Sequence, residues 1–398
     1  MRSEWKEVCL GDVAVIKGGK RLPKGKNLIS NKTQHPYIRV RDLNNNRTLA
    51  LTDEFEYVDN DTFQTISRYI VDTNDVIISI VGSIGLVSII DNTLDKASLT
   101  ENCAKIVELD NITAQYLYYY LVSNKGQAEI KKGTVGAVQA KLPLKNIQNI
   151  SISIPSLPEQ KAIAATLSCL DDKIELNNKI NANLEAQVQA IADSWFASAG
   201  FGQWPIGKLS DIALINPKRT LKKGAVATYV EMSRLPTQGP FPNGWEEKPY
   251  SGGAKFQNGD TLIARITPCL ENGKTAYVNF LAEDEIAFGS TEYVVLTAAE
   301  EYPKELIYFI GRNEAFRNYV VKNMSGTSGR QRVSPDVIAN FTIPIPPQEF
   351  ILQYADFFAT IMKVIRKRSF ENRTLAAIRD TLLPKLMSGD IEIPMEVE

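Results

Sequence analysis

Between Leu157 and Ala199 the chain is written as one long helix that cannot stand alone. It opens Leu157-Pro158-Glu159-Gln160, then runs to Ala199 without a proline or glycine, with Gly200 just past its end. Proline suits the first helical turn and glycine the stop. Apolar residues recur on a 4,3 spacing at Ile163, Leu167, Leu170, Ile174, Leu184, Val188, Ile191 and Trp195; Asn177 and Asn181 are the only polar residues in that frame. A seam of period 3.5 needs a second helix, because one helix cannot bury a stripe against itself. At about 1.5 Å per residue the seam from Ile163 to Trp195 is roughly 50 Å long, too long for the core of one compact domain. The segment reads as a strut that holds two domains apart.

Its partner lies near the other end of the chain. Pro346-Pro347 opens a second segment, closed by Ser388-Gly389, with the frame Ile351, Tyr354, Phe358, Ile361, Ile365, Arg368, Asn372, Leu375, Arg379, Leu382 and Leu386. The polar interruption again falls near the middle, so Asn177 and Asn181 are expected to meet Arg368 and Asn372 in one layer. Polar seam residues fix register at some cost in stability. Charge agrees, for Asp171, Asp172, Glu175, Glu185 and Asp193 bias the first helix acidic. Lys363, Arg366, Lys367, Arg373 and Lys385 bias the second basic.

What surrounds the helices is said twice. Trp5 through Leu10-Gly11-Asp12-Val13-Ala14 returns as Trp204 through Leu209-Ser210-Asp211-Ile212-Ala213, and Tyr37-Ile38-Arg39-Val40 as Tyr229-Val230-Glu231-Met232. Asp75 before an apolar run matches Asp260, Thr100-Glu101 matches Thr291-Glu292, and Ile154-Pro155 matches Ile345-Pro346. The unit is a domain plus a helix, used twice. Strands alternating with short helices predict mixed α/β (α+β) domains. The expected fold is therefore two tandem α/β domains separated by an antiparallel coiled coil, with pseudo-twofold symmetry. Expected boundaries are 1–155 and 200–346 for the domains, and 156–199 and 347–390 for the helices.

A chain of 398 residues with 44% hydrophobic content can build more than one core, and its net charge of -1 advertises no polyanion partner, so any nucleic-acid surface must be local. Cys9, Cys103, Cys169 and Cys269 are scattered, with no zinc or disulfide spacing. The most apolar run, Val76 to Ile90, is interrupted by Gly82 and Gly85 and is too short to span a membrane. With no leader visible at Met1, a cytoplasmic protein is expected.

Two pairs of loops carry the candidate chemistry. After the Asp-Val/Ile-Ala match both domains turn basic: Lys17, Lys20, Arg21, Lys24 and Lys26 in the first, Lys218, Arg219, Lys222 and Lys223 in the second. Clustered cations on a loop suit phosphate contacts, which position a protein on a duplex. Later come Gly133-Thr134-Val135-Gly136-Ala137-Val138-Gln139-Ala140-Lys141 and Gly326-Thr327-Ser328-Gly329-Arg330-Gln331-Arg332. Of these, Thr134, Gln139, Lys141, Thr327, Arg330, Gln331 and Arg332 are side chains of the kind that pair with base edges and phosphates. Arg39, Arg41 and Arg265 are weaker candidates, with surface ion pairs as the competing reading. Catalytic signatures are missing: His35 is the only histidine, and there is no Walker loop, His-Glu-x-x-His or dinucleotide turn. Glu246-x-Lys248 has the tail of a nuclease motif without its first half. The residues read as a binder, with no metal site and no cofactor. A scaffold with two protein-binding heads on a strut is the competing class.

At this point the chain resembles the DNA-specificity subunit of type I restriction–modification enzymes over essentially its whole length. The resemblance rests on Ile154-Pro155-Ser156-Leu157-Pro158-Glu159-Gln160, on Leu382-Leu383-Pro384-Lys385-Leu386-Met387-Ser388-Gly389-Asp390-Ile391, and on the twofold layout. Pro346-Pro347-Gln348-Glu349-Phe350 departs from the usual Pro-Glu-Gln order. The family implies two target recognition domains, each reading half of a bipartite DNA site, with helices that set the spacer and dock two modification (methyltransferase) subunits. Restriction subunits would complete the nuclease, and S-adenosylmethionine, ATP and Mg²⁺ would belong to these partners.

Overall fold

The computed structural model describes residues 5–43, 46–136, 138–196 and 204–393; Ala137, Gly200 and the expected boundary at 199/200 lie outside them. The chain forms two compact units, Met1–Lys173 with Thr374–Glu398, and Ile174–Arg373.

Both units follow one plan. In the first, a sheet orders its strands Val15–Gly18, Cys103–Val107, Val76–Ser79, Val87–Ile90 and Thr48–Leu49. In the second, Ala213–Ile215, Tyr293–Ala298, Thr261–Ala264 and Thr275–Tyr277 stand in the same order. The continuous apolar runs are the central strands: Val76–Ser79 and Thr261–Ala264 are buried along their whole length. A second sheet in each unit contains a parallel pair, Tyr37 and Ile38 beside Ser98 and Leu99, and Tyr229 and Val230 beside Phe288 and Gly289. Asp75 and Asp260 both close a turn before the central strand, accepting from the amides of Asp72 (2.9 Å) and Gln257 (2.7 Å). The sequence repeat is thus a repeat of topology. His35 stacks on Phe63 with ring centroids 3.8 Å apart, as an ordinary loop residue.

An antiparallel ribbon leads into each long helix, pairing Lys6 with Ile154 in the first unit and Ile206 with Pro344 in the second. These registers place Gln160 and Ile351 at equivalent positions, and both are fully buried. Gln160 accepts from the Thr113 amide (2.9 Å) and donates to the carbonyls of Asn111 (2.9 Å) and Pro155 (3.0 Å). Thr113 caps helix Ala114–Val122; the corresponding cap of helix Lys304–Arg312 is Pro303, which has no N–H to satisfy. The departure at the second helix start is therefore compensated: proline removes the donor, and isoleucine replaces the glutamine that met it. Likewise Glu159 accepts from Trp5 Nε1 (3.1 Å), whereas Phe350 lies edge-on to Trp204 with centroids 4.9 Å apart. Replacing Gln160 by leucine should destabilise the first unit by roughly 1–3 kcal/mol, the cost of an unsatisfied buried amide. A urea titration of the full chain measures it, and an unchanged midpoint would refute the lock.

The long helices run Leu157–Phe196 and Gln348–Met387. In the first unit Ile163, Ala164 and Leu167 share a core with Leu386 and Met387, flanked by Leu382 and Leu383. In the second, Val188, Ala192 and Trp195 pack among Ile351, Phe358, Met362 and Ile365, with Leu184, Ile191, Tyr354 and Ile361 beside them. Early residues of one helix meet late residues of the other, so the pairing is antiparallel. Leu170, Ile174 and Leu375 are half-buried in the same frame. The polar layer forms, with one correction. Asn177 donates to Asn372 Oδ1 (2.8 Å) and Glu371 (3.0 Å), but Asn181 donates to Ser369 Oγ (3.3 Å) and not to Arg368. Asn372 in turn donates to Asn178 Oδ1 (2.8 Å). Asn181 to Ser369 and Asn372 to Asn178 are one bond made twice by repeat-equivalent residues. The shorter serine and asparagine fit that spacing, and Arg368 is only half-buried.

Candidate nucleic-acid interface

In the first unit Lys20, Arg21 and the Val135–Lys141 loop come together at the Ser79 end of the main sheet, around Thr100-Glu101. Gly19 donates its amide to Cys103 O (3.1 Å) and Lys20 to Leu99 O (2.8 Å). A Cβ on Gly19 would stand 2.0 Å from Thr100 O, so only glycine allows this approach. Ile80 donates to Asn102 O (2.8 Å) and Leu142 to Ile80 O (2.9 Å), which brings the Val135–Lys141 loop to the same end.

The basic loop is less free than its sequence implies. The window has no acid of its own, but acids arrive from elsewhere: Glu108 meets Lys17 at 2.6 Å, Glu101 meets Arg21 at 2.7 Å, and Asp59 meets Lys26 at 3.1 Å. Asp59 also caps helix Asn60–Ile66, and the Thr62 N–H holds its carboxyl down to about 2. Lys20 lies over the Tyr69 ring, 5.4 Å from its centroid. Among the described residues only Lys24 of the five meets neither acid nor ring. Arg39 pairs with Glu56 and lies 3.8 Å from Asp42, while Arg41 reaches Glu56 at 3.3 Å and Asp42 at 3.6 Å. Burial pushes the Asp42 carboxyl up to about 6. The ion-pair reading fits both arginines.

In the second unit the main sheet ends in the same way. Arg265 donates its amide to Glu292 O (2.9 Å), Val333 to Arg265 O (2.9 Å) and Thr267 to Gln331 O (3.0 Å). Each late loop closes on itself through two backbone bonds, Val135 with Lys141 (both 2.9 Å) and Ser325 with Arg332 (3.0 and 2.8 Å). Lys141 and Arg332 are therefore equivalent, and so are Gly136 and Gly326. This corrects the pairing of Thr134 with Thr327. Thr134 ends helix Asn124–Gly133, its hydroxyl bonded to Ile130 O (2.8 Å); Thr327 sits in the exposed loop, its carbonyl accepting from the Arg330 amide (2.9 Å). Gln139 and Lys141 are exposed, as is Arg330; Gln331 is half-buried.

The second basic loop takes a different course. Arg219 is buried against Asp260 (2.7 Å) and Thr297 (3.2 Å), with side chains only 7% and 1% exposed for the ion pair. It belongs to the fold, which corrects its place among surface cations. Lys218, Lys222 and Lys223 are exposed, but their loop returns through a Gly224–Tyr250 bond (2.8 Å) to the start of strand Val226–Val230. The two basic loops share a place in the sequence and not in the fold. Two residues absent from the sequence-based candidates stand out instead, Glu101 and Glu292. Glu292 takes Arg332 in a fork, with Nε 3.0 Å from both carboxylate oxygens and Nη2 2.7 Å from Oε1, and lies 4.0 Å from Arg265 Nε. Their signal was the repeated Thr-Glu pair.

A family model described as the type I restriction modification DNA specificity domain matches residues 2–186. The MjaIX specificity subunit of Methanocaldococcus jannaschii is 22% identical over 386 residues, covering 90% of this chain and 87% of that one. The chain is similar to type I restriction–modification DNA-specificity subunits over most of its length. Another specificity subunit, HindI of Haemophilus influenzae, is 22% identical over 385 residues, 76% of this chain and 83% of the relative. A crystal structure of the type I S subunit from M. genitalium has the same fold, with TM-score 0.57 at 16% identity over 97% of this chain and 96% of that one. No helix among the described residues of this chain is long and apolar enough to cross a membrane.

Proposed function

We propose that each α/β domain of this specificity subunit reads one half of a bipartite duplex site, through the surface built around its Thr-Glu turn. The observation that carries this reading is the recurrence of one construction in both units: a self-closed loop, Val135–Lys141 or Ser325–Arg332, bridged to the end of the central strand beside a Thr-Glu turn; the glutamate of that turn holds Arg21 of the early loop in the first unit and Arg332 of the late loop in the second. Each loop carries amide and cationic side chains, Gln139 and Lys141 in the first and Arg330, Gln331 and Arg332 in the second, of the types that contact base edges and phosphates. The helix pair sets the spacing between half-sites and docks two modification subunits. Restriction subunits join that core, and S-adenosylmethionine, ATP and Mg²⁺ act in those partners, in the cytoplasm.

The test is duplex binding by the full chain, alone and with its modification subunit, against salt concentration. Binding that weakens steeply with salt supports the reading; no binding in either form favours the scaffold with protein-binding heads. Replacing Lys17, Lys20, Arg21, Lys24 and Lys26 by alanine should weaken binding across all sequences. The salt slope should flatten by about 0.9 for each phosphate that is no longer neutralised. Unaltered binding and slope would remove this loop from the interface.

A further inference from the structure

Arginine at the base of the second late loop is held by all but one edge of its guanidinium. The side edge of Arg332, Nε and Nη2, forks onto Glu292 at 2.7 to 3.0 Å. Nη1 donates to Arg330 O at 3.0 Å. A guanidinium has five N–H bonds, and these interactions use three. The two that remain are one on Nη1 and one on Nη2, the terminal nitrogens whose outward N–H bonds make up the outer edge of the group. Among the described residues no acceptor meets that edge, and the Arg332 side chain is 40% exposed. The backbone is fixed as well, because Arg332 closes its loop with Ser325 and bridges to Ile266 at the end of the central strand. Arg330, two residues earlier in the same loop, is exposed and has no such buttress.

We propose that Glu292 is a positioning residue for base reading: it aims the outer edge of Arg332 at the O6 and N7 acceptors of one guanine in the half-site of the second domain. Two parallel donors match those two acceptors, and no other base offers two acceptors side by side in the major groove. A carboxylate inside a DNA-facing surface costs attraction to phosphate, so its presence there calls for a positional role. Locking the arginine beforehand reduces the rotamer entropy lost on binding. Glu101 makes a weaker version of the interaction, one bond of 2.7 Å to an Arg21 that is 81% exposed, so the guanine assignment is confined to the second domain.

This inference rests on the reading of the chain as a DNA-binding subunit, and the experiment separates the two. The full chain, complexed with its modification subunit, is used to select duplexes from a randomised library, and the bound sequences are read for the wild type, Arg332→Ala, Glu292→Gln and the double variant. A wild-type selection without a bipartite motif overturns the function itself. Given a motif, Arg332→Ala should lower the preference for guanine at one position of one half-site by roughly 5- to 150-fold, the range for one bidentate base contact. Glu292→Gln should lower preference at that same position, the double variant should match Arg332→Ala, and the other half-site should be unchanged. Glu292→Gln should also bind random duplex more tightly, having lost a negative charge. A general packing defect would lower affinity without choosing a base. Relaxation at a base other than guanine, at scattered positions, or at none in an otherwise active complex overturns the assignment.

Discussion

Inserting four helical residues beside Lys179 should lengthen the non-specific gap of the recognised site by about two base pairs while leaving the half-site bases unchanged. Four residues add about 6 Å at 1.5 Å each, against 3.4 Å per base pair. The two helices are each 40 residues long, about 60 Å at the same rise. If they act as a ruler, the half-site centres fall about one turn of DNA apart or slightly more. The insertion separates Asn177 from Asn181, so the bonds to Asn372 and Ser369 cannot both be kept. Four residues also place a stutter in the seam, which locally unwinds the supercoil and rotates one domain about it. Reduced activity is therefore expected alongside the longer gap. The methylated motif in cells carrying the insertion decides: an unchanged gap at full activity, or altered half-site bases, would show that the helices do not set the spacing.

Arg219→Ala should destabilise the second unit by about 3–5 kcal/mol at neutral pH, because it leaves the Asp260 carboxylate buried without its cation. Burial already raises the Asp260 carboxyl above the usual carboxylate range, and losing Arg219 raises it further. A carboxyl whose folded value is raised binds more protons folded than unfolded, so stability falls as pH climbs from the ordinary value through the raised one. The variant should accordingly recover part of its stability when the pH is lowered from 7 towards 5. Removing the charge as well, in Arg219→Ala with Asp260→Asn, should recover much of it at pH 7. Urea midpoints at the two pH values provide the measurement; a single variant as stable as the wild type would return Arg219 to the surface loop.

How far the sequence was legible depended on how local the cause was. The helix pair was visible because a 3.5-residue period is written along the chain, and every position of the frame from Ile163 to Trp195 is buried or half-buried. The repeat was visible because Asp75 and Asp260 close the same local turn. What could not be read was whatever depends on residues far away in sequence. Lys17 lies in a window without acids, yet its partner Glu108 is 91 positions on. Arg219 looked like one cation of a surface cluster until Asp260, 41 positions on, took it inside. Thr134 and Thr327 shared a Gly-Thr spelling, but strand bridges and not spelling decide equivalence, and they align Lys141 with Arg332. Asn181 missed Arg368 because a seam position fixes which face a side chain takes, not which neighbour it reaches.

The first unit draws its core from both ends of the chain, since Leu386 and Met387 are buried among residues contributed by Leu10 to Leu167. The second unit is one uninterrupted stretch, Ile174–Arg373. On the ribosome, where domains ordinarily fold from the N-terminus onward, this order is reversed. The second unit has all its residues as soon as Arg373 emerges. The first, though synthesised earlier, lacks Leu386 and Met387, which share the core of Ile163 and Leu167, until the last turns of the C-terminal helix arrive. Its core therefore stays incomplete for the whole translation time of its neighbour.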